Sequence, residues 1–213
     1  MVRANFGPVL RAIGLSALFF SSLHATEVES KIVRWHLVGI VSGQANPFTT
    51  AAYFPRPLVA GALIDVILTI DTTATSLGSS SYADYEGAIT SAKVSGSDWS
   101  IRMRSPLQQG SVTVANDDPD YGDMLALDAT TQSVPGTTWY SIQFDMRNPG
   151  GPSPGVGPWA PFTSLALPKA PPSLGFFPNN IFYFEARRDQ AGQALDGGAY
   201  YGQILSMTLV KDD

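Results

Sequence analysis

WYSIQFDMR, residues 139–147, alternates without a break: Tyr140, Ile142, Phe144 and Met146 fall on one side, Ser141, Gln143, Asp145 and Arg147 on the other. A two-residue period belongs to an extended strand with one face on a core and the other in water. The same pattern recurs outward in both directions. In Ala62–Asp71, Ile64, Val66, Leu68 and Ile70 oppose Asp65, Thr69 and Asp71; in Trp99–Arg104, Trp99, Ile101 and Met103 oppose Ser100, Arg102 and Arg104. Lys31–Val41 places Val33, Trp35 and Leu37 against Arg34 and His36. Ala88–Ser95, Val112–Ala115, Met124–Ala129, Ile181–Arg187 and Tyr200–Val210 complete the set of expected strands. Turn-forming clusters separate them, including Ser95-Gly96-Ser97-Asp98, Asn116–Asp120 and Asp196-Gly197-Gly198. Many short, half-apolar strands with no helical period between them predict an all-β fold, a single antiparallel β-sandwich or jelly roll. A parallel α/β sheet would need strands apolar on both faces.

Two segments stand apart. Residues 1–25 carry Arg3 and Arg11, an apolar run from Ala12 to Leu23 and a small residue at Ala25, the pattern of a Sec-type signal peptide. That run falls short of the roughly 20 residues a membrane-spanning helix needs. The expected organisation is therefore a signal peptide at 1–25 and one β-sandwich domain at 26–213, secreted or periplasmic, with no membrane span after cleavage. Residues 148–178 hold nine of the 16 prolines. Proline removes ladder donors, so 148–158 and 168–178 read as surface loops around an expected edge strand near Phe162–Leu167.

Composition excludes several chemistries. The 213 residues contain no Cys, which removes disulfides, thiol nucleophiles and thiolate-bound metals. A net charge of −5 argues against a nucleic-acid partner. Beyond residue 25, His36 is the sole histidine, and no G-x-S-x-G elbow presents a serine, so a histidine-based enzyme is not expected.

Three candidate sites remain. Asp117, Asp118, Asp120 and Asp123, with Asp128 close behind, gather hard oxygen donors in a turn, as Ca²⁺ prefers. The spacing is not that of an EF-hand, because the twelfth position from Asp118 is Ala129. The competing reading is a polar hairpin turn stabilised by its own side chains. Trp139 shares the polar face of its strand with Gln143 and Asp145, which suits stacking on a sugar ring and hydrogen bonding to its hydroxyls. Trp159, Phe176 and Phe177 lie in the proline-rich loops, either as a binding patch or as plugs for the open end of the fold. Paired carboxylates for glycoside cleavage form no visible constellation.

The succession HLVGIVSG (36–43), VAGALIDVILTIDTT (59–73), VTVANDDPDYGDMLAL (112–127), WYSIQFDMRN (139–148) and YYGQILSMTL (200–209) resembles exported domains of bacterial PEP-CTERM-type proteins. That resemblance implies an exported, all-β domain tied to cell-surface or matrix material and carries over no catalytic residue. After Val210 there is no V-P-E-P motif, apolar helix or basic tail, so a free secreted or periplasmic protein is expected. The sequence as a whole points to a non-enzymatic structural or binding module, with an extracellular polysaccharide or a surface protein as partner. A carbohydrate-binding, lectin-like sandwich assisted by calcium is the alternative, and a glycoside-active jelly roll a minor one.

Overall fold

The computed structural model describes residues 32–45, 53–104, 106–107, 109–132, 134, 137–148, 162, 164–190 and 193–210. The expected signal peptide, Trp159 and most of the loop at 148–158 lie outside the described residues.

The chain is all-β. Eleven strands follow in order: β1 (Ile32–Ala45), β2 (Leu63–Asp71), β3 (Leu77–Gly78), β4 (Tyr82–Tyr85), β5 (Ile89–Ser95), β6 (Ser100–Arg104), β7 (Gln109–Asp118), β8 (Gly122–Thr130), β9 (Thr138–Asn148), β10 (Asn179–Gln190) and β11 (Gln193–Leu209). Antiparallel ladders join them all in one sheet, ordered β3-β4-β7-β8-β9-β10-β11-β1-β2-β5-β6. The sheet curls into a half-barrel. Its two ends approach each other closely at one point: a Cβ added to Gly110 of β7 would lie 2.2 Å from the Ile89 carbonyl oxygen of β5. Only glycine leaves room for that approach.

Alternation decides which face turns inward. Trp35 and Leu37 of β1, Ile64 to Ile70 at every second position of β2, and Ile142, Phe144 and Met146 of β9 are buried on the concave side. Phe182 and Phe184 of β10 and Tyr200 of β11 join them. No helix layer covers this face among the described residues; connecting segments fill it. Phe54 packs edge-on against Phe184 at 4.9 Å and Tyr200 at 4.7 Å, while Phe162 and Phe177 pair at 5.9 Å. Three tyrosine hydroxyls pin these segments to the sheet. The Leu58 N–H donates to Tyr200 Oη (2.9 Å), Tyr140 Oη donates to the Tyr53 carbonyl (3.3 Å), and Tyr85 Oη donates to the Leu165 carbonyl (2.7 Å). Each hydroxyl satisfies a backbone group that has left the ladder.

Three local expectations need correcting. The described residues of Phe162–Leu167 form no strand; Phe162 and Leu167 turn inward, and Tyr85 takes the Leu165 carbonyl. Asp196-Gly197-Gly198 is not a turn but part of β11, where Gly197 pairs with Arg187. A Cβ at Gly197 would lie 2.4 Å from Arg187 Cγ, so the missing side chain makes room for the arginine stem. The short β3 and β4 were absent from the expected strands, being too brief to show a period. Phe177, one of the two readings of which was a plug, is buried in the core.

Candidate functional site on the convex face

The polar positions of each strand face out on the convex side, and the registers set them in rows. Asp128 of β8 faces Gln143 of β9, Gln143 faces Tyr183 of β10, and Tyr183 faces Tyr201 of β11. Tyr183 and Tyr201 are 40% and 42% exposed, far more than a tyrosine held in the core. Tyr201 lies across Gly43 of β1, where an added Cβ would sit 2.6 Å from the phenol oxygen. Four residues along the same ladder, Trp139 faces Arg187, whose guanidinium sits 5.4 Å above the indole. Glu185 Oε2 holds Arg187 at 3.3 Å. The sequence placed Trp139, Gln143 and Asp145 on one face, and the structure keeps them there.

Asp145 grips Arg147 through two bonds, at 2.7 and 2.6 Å, and the guanidinium lies 5.5 Å over the Tyr121 ring. That hydrogen bond holds the Arg147 pKa above its ordinary value. Beside it, Tyr82, Thr113, Asp118, Asp120, Tyr121 and Arg147 line a groove of about 490 Å³. Burial, then the nearby Asp84 charge, pushes the Tyr82 phenol up.

The acidic hairpin is built mostly from its own hydrogen bonds. Asp118 Oδ1 accepts the Asp120 and Tyr121 N–H groups (2.9 and 3.2 Å), and Oδ2 accepts the Ser81 hydroxyl (2.8 Å). The Ser81 bond, then the backbone ones, lowers the Asp118 pKa. Asp123 Oδ1 accepts the Asp117 N–H at 2.9 Å, and burial raises its pKa. Asp117 adopts φ 50°, a left-handed turn conformation that aspartate tolerates. Among the described residues no three His, Cys, Asp or Glu side chains are arranged to hold a metal ion. Asp117 and Asp120 stay exposed at the tip.

Asp128 is the half-buried carboxylate of the convex row. Desolvation raises its pKa, opposed by hydrogen bonds from Thr130 and Gln143 and reinforced by the Glu185 charge. The folded state therefore binds this proton more tightly than the unfolded chain. The ionised form opposes folding above the raised pKa, and stability recovers as pH falls through it toward the ordinary 3.8. Asp128→Asn is expected to match or exceed the parent in stability at neutral pH and to flatten this part of the profile. Thermal melts from neutral to mildly acidic pH check it, and a variant that is less stable at neutral pH with the slope intact contradicts it.

Two features escaped the sequence. Tyr183 and Tyr201 sit at alternate, outward positions, but only the β10–β11 register brings them together. Asp84 and Glu86, two residues apart, share a cleft of about 570 Å³ with Thr90, Gln109 and Ser111. Thr113 donates to Asp84 at 3.2 Å. His36 does lie on the polar face, where it meets Asp65 at 2.9 Å. No helix among the described residues is long and apolar enough to cross a membrane. No family model, curated protein or solved structure matches the chain.

Proposed function

We propose that the chain is an exported, non-catalytic module that binds a polysaccharide across the convex face of its sheet. The observation that carries the reading is the row Asp128–Gln143–Tyr183–Tyr201, flanked by Trp139 under Arg187. Sugars present alternating C–H faces and hydroxyls; exposed rings suit the first, and amide and carboxylate groups the second. A row on an open face admits a chain that continues in both directions. Export rests on the pattern at residues 1–25, and kinship with PEP-CTERM-type domains on the order of the quoted motifs. The segments leading from β4 to β5 and from β6 to β7 pass between opposite ends of the sheet, which supports a jelly-roll-like reading of the half-barrel. The proposal does not involve calcium, since Asp118 and Asp123 already serve the hairpin.

Retention on immobilised polysaccharides tests the proposal. Tyr183→Ala/Tyr201→Ala is expected to weaken binding by about tenfold or more, about 1.4 kcal/mol, with an unchanged melt. Undiminished binding in that variant, or no retention of the parent on any polymer, would sink the reading. The Asp84–Glu86 cleft favours one other reading, a glycoside-active site, since paired carboxylates are what such chemistry needs. Release of reducing ends by the parent, abolished in Asp84→Asn/Glu86→Gln, would establish it.

A further inference from the structure

The convex face carries a second feature, at the far end of the sheet from the acidic hairpin. Arg34 of β1, Lys93 of β5, and Arg102 and Arg104 of β6 line one groove of about 260 Å³ with Thr69 and Ser91. The register explains the gathering. Lys93 faces Arg102, Ser91 faces Arg104, Thr69 faces Ser91, and Arg34 faces Thr69. Among the described residues, no carboxylate lines this groove. Among the described residues, Arg56, Arg147 and Arg187 each hold an acid, whereas none lies within ion-pairing distance of Lys93, Arg102 or Arg104. In a chain of net charge −5, the gathering of Lys93, Arg102 and Arg104 with no acid beside these three among the described residues needs a reason.

We infer that this groove takes the acidic groups, carboxylate or sulfate, of an anionic polysaccharide whose chain also lies on the tyrosine row. The inference rests on the polysaccharide reading above and specifies its ligand class. Guanidinium forks pair bidentately with both acid groups, and Lys93 adds a point charge. The Ser91 hydroxyl donates to Thr69 Oγ1 at 2.9 Å, which orders the hydroxyls on the groove floor. Lys93 lies level with His36 of β1 and Tyr201 with Gly43, so the two are three strand spacings apart, about 14 Å across the sheet, and seven residues, about 23 Å, along it; a run of several sugars laid diagonally over the face reaches from one to the other. A nucleic acid or an anionic membrane would meet the same cations, but would also face the net negative charge with only a small patch to offset it. The competing explanation is that charges on β6, the end strand of the sheet, keep it from pairing with another chain.

Titration calorimetry with sodium polygalacturonate, dextran sulfate and uncharged dextran, at low and physiological salt, tests the inference. The parent is expected to bind at least one acidic polymer about tenfold or more tightly than dextran at low salt, and to lose much of that advantage as salt screens the pairs. The better of the two acidic polymers identifies the acid group. Arg102→Gln/Arg104→Gln is expected to remove the advantage, leaving dextran binding and the oligomeric state unchanged. Equal binding of acidic and neutral polymers, or an advantage that survives the substitution, overturns the inference and leaves the polysaccharide reading standing. Self-association of the variant with its acid preference intact assigns the cations to edge protection and also overturns it. If no polymer of this set or of the immobilised panel binds the parent, the polysaccharide reading itself fails, and the inference with it.

Discussion

Phe184→Ala is expected to cost about 3–5 kcal/mol of unfolding free energy, a large share of the roughly 5–15 kcal/mol that holds a typical domain together. Phe184 is fully buried at the centre of an aromatic cluster. Phe54 meets it edge-on at 4.9 Å, Trp99 lies parallel to it at 6.0 Å, and Tyr140 stacks at 6.3 Å. These rings come from four separate parts of the chain: the β1–β2 connection, the residue just before β6, β9 and β10 itself. Removing the shared partner leaves a cavity that four differently anchored pieces cannot all close. Urea unfolding measures the loss. A change below about 1 kcal/mol would mean that the concave side repacks freely, and would remove it as the organising core.

Gly202→Ala is expected to be the other severe substitution, at or beyond the upper end of the roughly 1–3 kcal/mol typical of overpacking. A Cβ there would lie 2.0 Å from the Ile40 carbonyl oxygen and 2.6 Å from Phe182 Cε1. The first obstacle is backbone, so β1 would have to move away from β11. Phe182 faces Gly202 directly across the β10–β11 ladder and also covers Gly39 of β1, where a Cβ would meet the same ring at 2.6 Å. The ring thus fills the space two missing side chains leave. Gly175→Ala is the control, since its nearest neighbour would be Ser173 Oγ at an ordinary 3.6 Å. Its melting temperature is expected to match that of the parent, while that of Gly202→Ala falls sharply. Equal melts for the two variants would contradict the close packing of β1 on β11.

The alternation in Trp139–Arg147 and Ala62–Asp71 was enough to predict strands and the faces they bury, because burial of every second side chain is a local consequence of the pleat. Register is not local. Nothing within Ile181–Arg187 or Tyr200–Val210 says that Tyr183 will stand beside Tyr201, or that Arg187 will lie between Gly197 on one side and Trp139 on the other. The same limit hid the cationic groove, whose cations come from strands β1, β5 and β6. Glycine misled at 196–198, where a small residue served close packing of a neighbour rather than a reversal of the chain. The aspartates at 117–123 were visible as a cluster, but their hydrogen bonds to Ser81 and to backbone N–H groups depend on a turn that composition does not specify. Both halves of the site, rings and cations, were therefore readable as residues but not as neighbours.

Backbone amide shifts of the labelled protein, followed as soluble oligosaccharides of the best-retained polymer are added, test the central claim most directly. The account predicts perturbations centred on Trp139, Gln143, Tyr183 and Tyr201, with Lys93, Arg102 and Arg104 joining when the oligosaccharide is acidic. Shifts confined to the cleft of Asp84 and Glu86, or none at ligand excess, would contradict it.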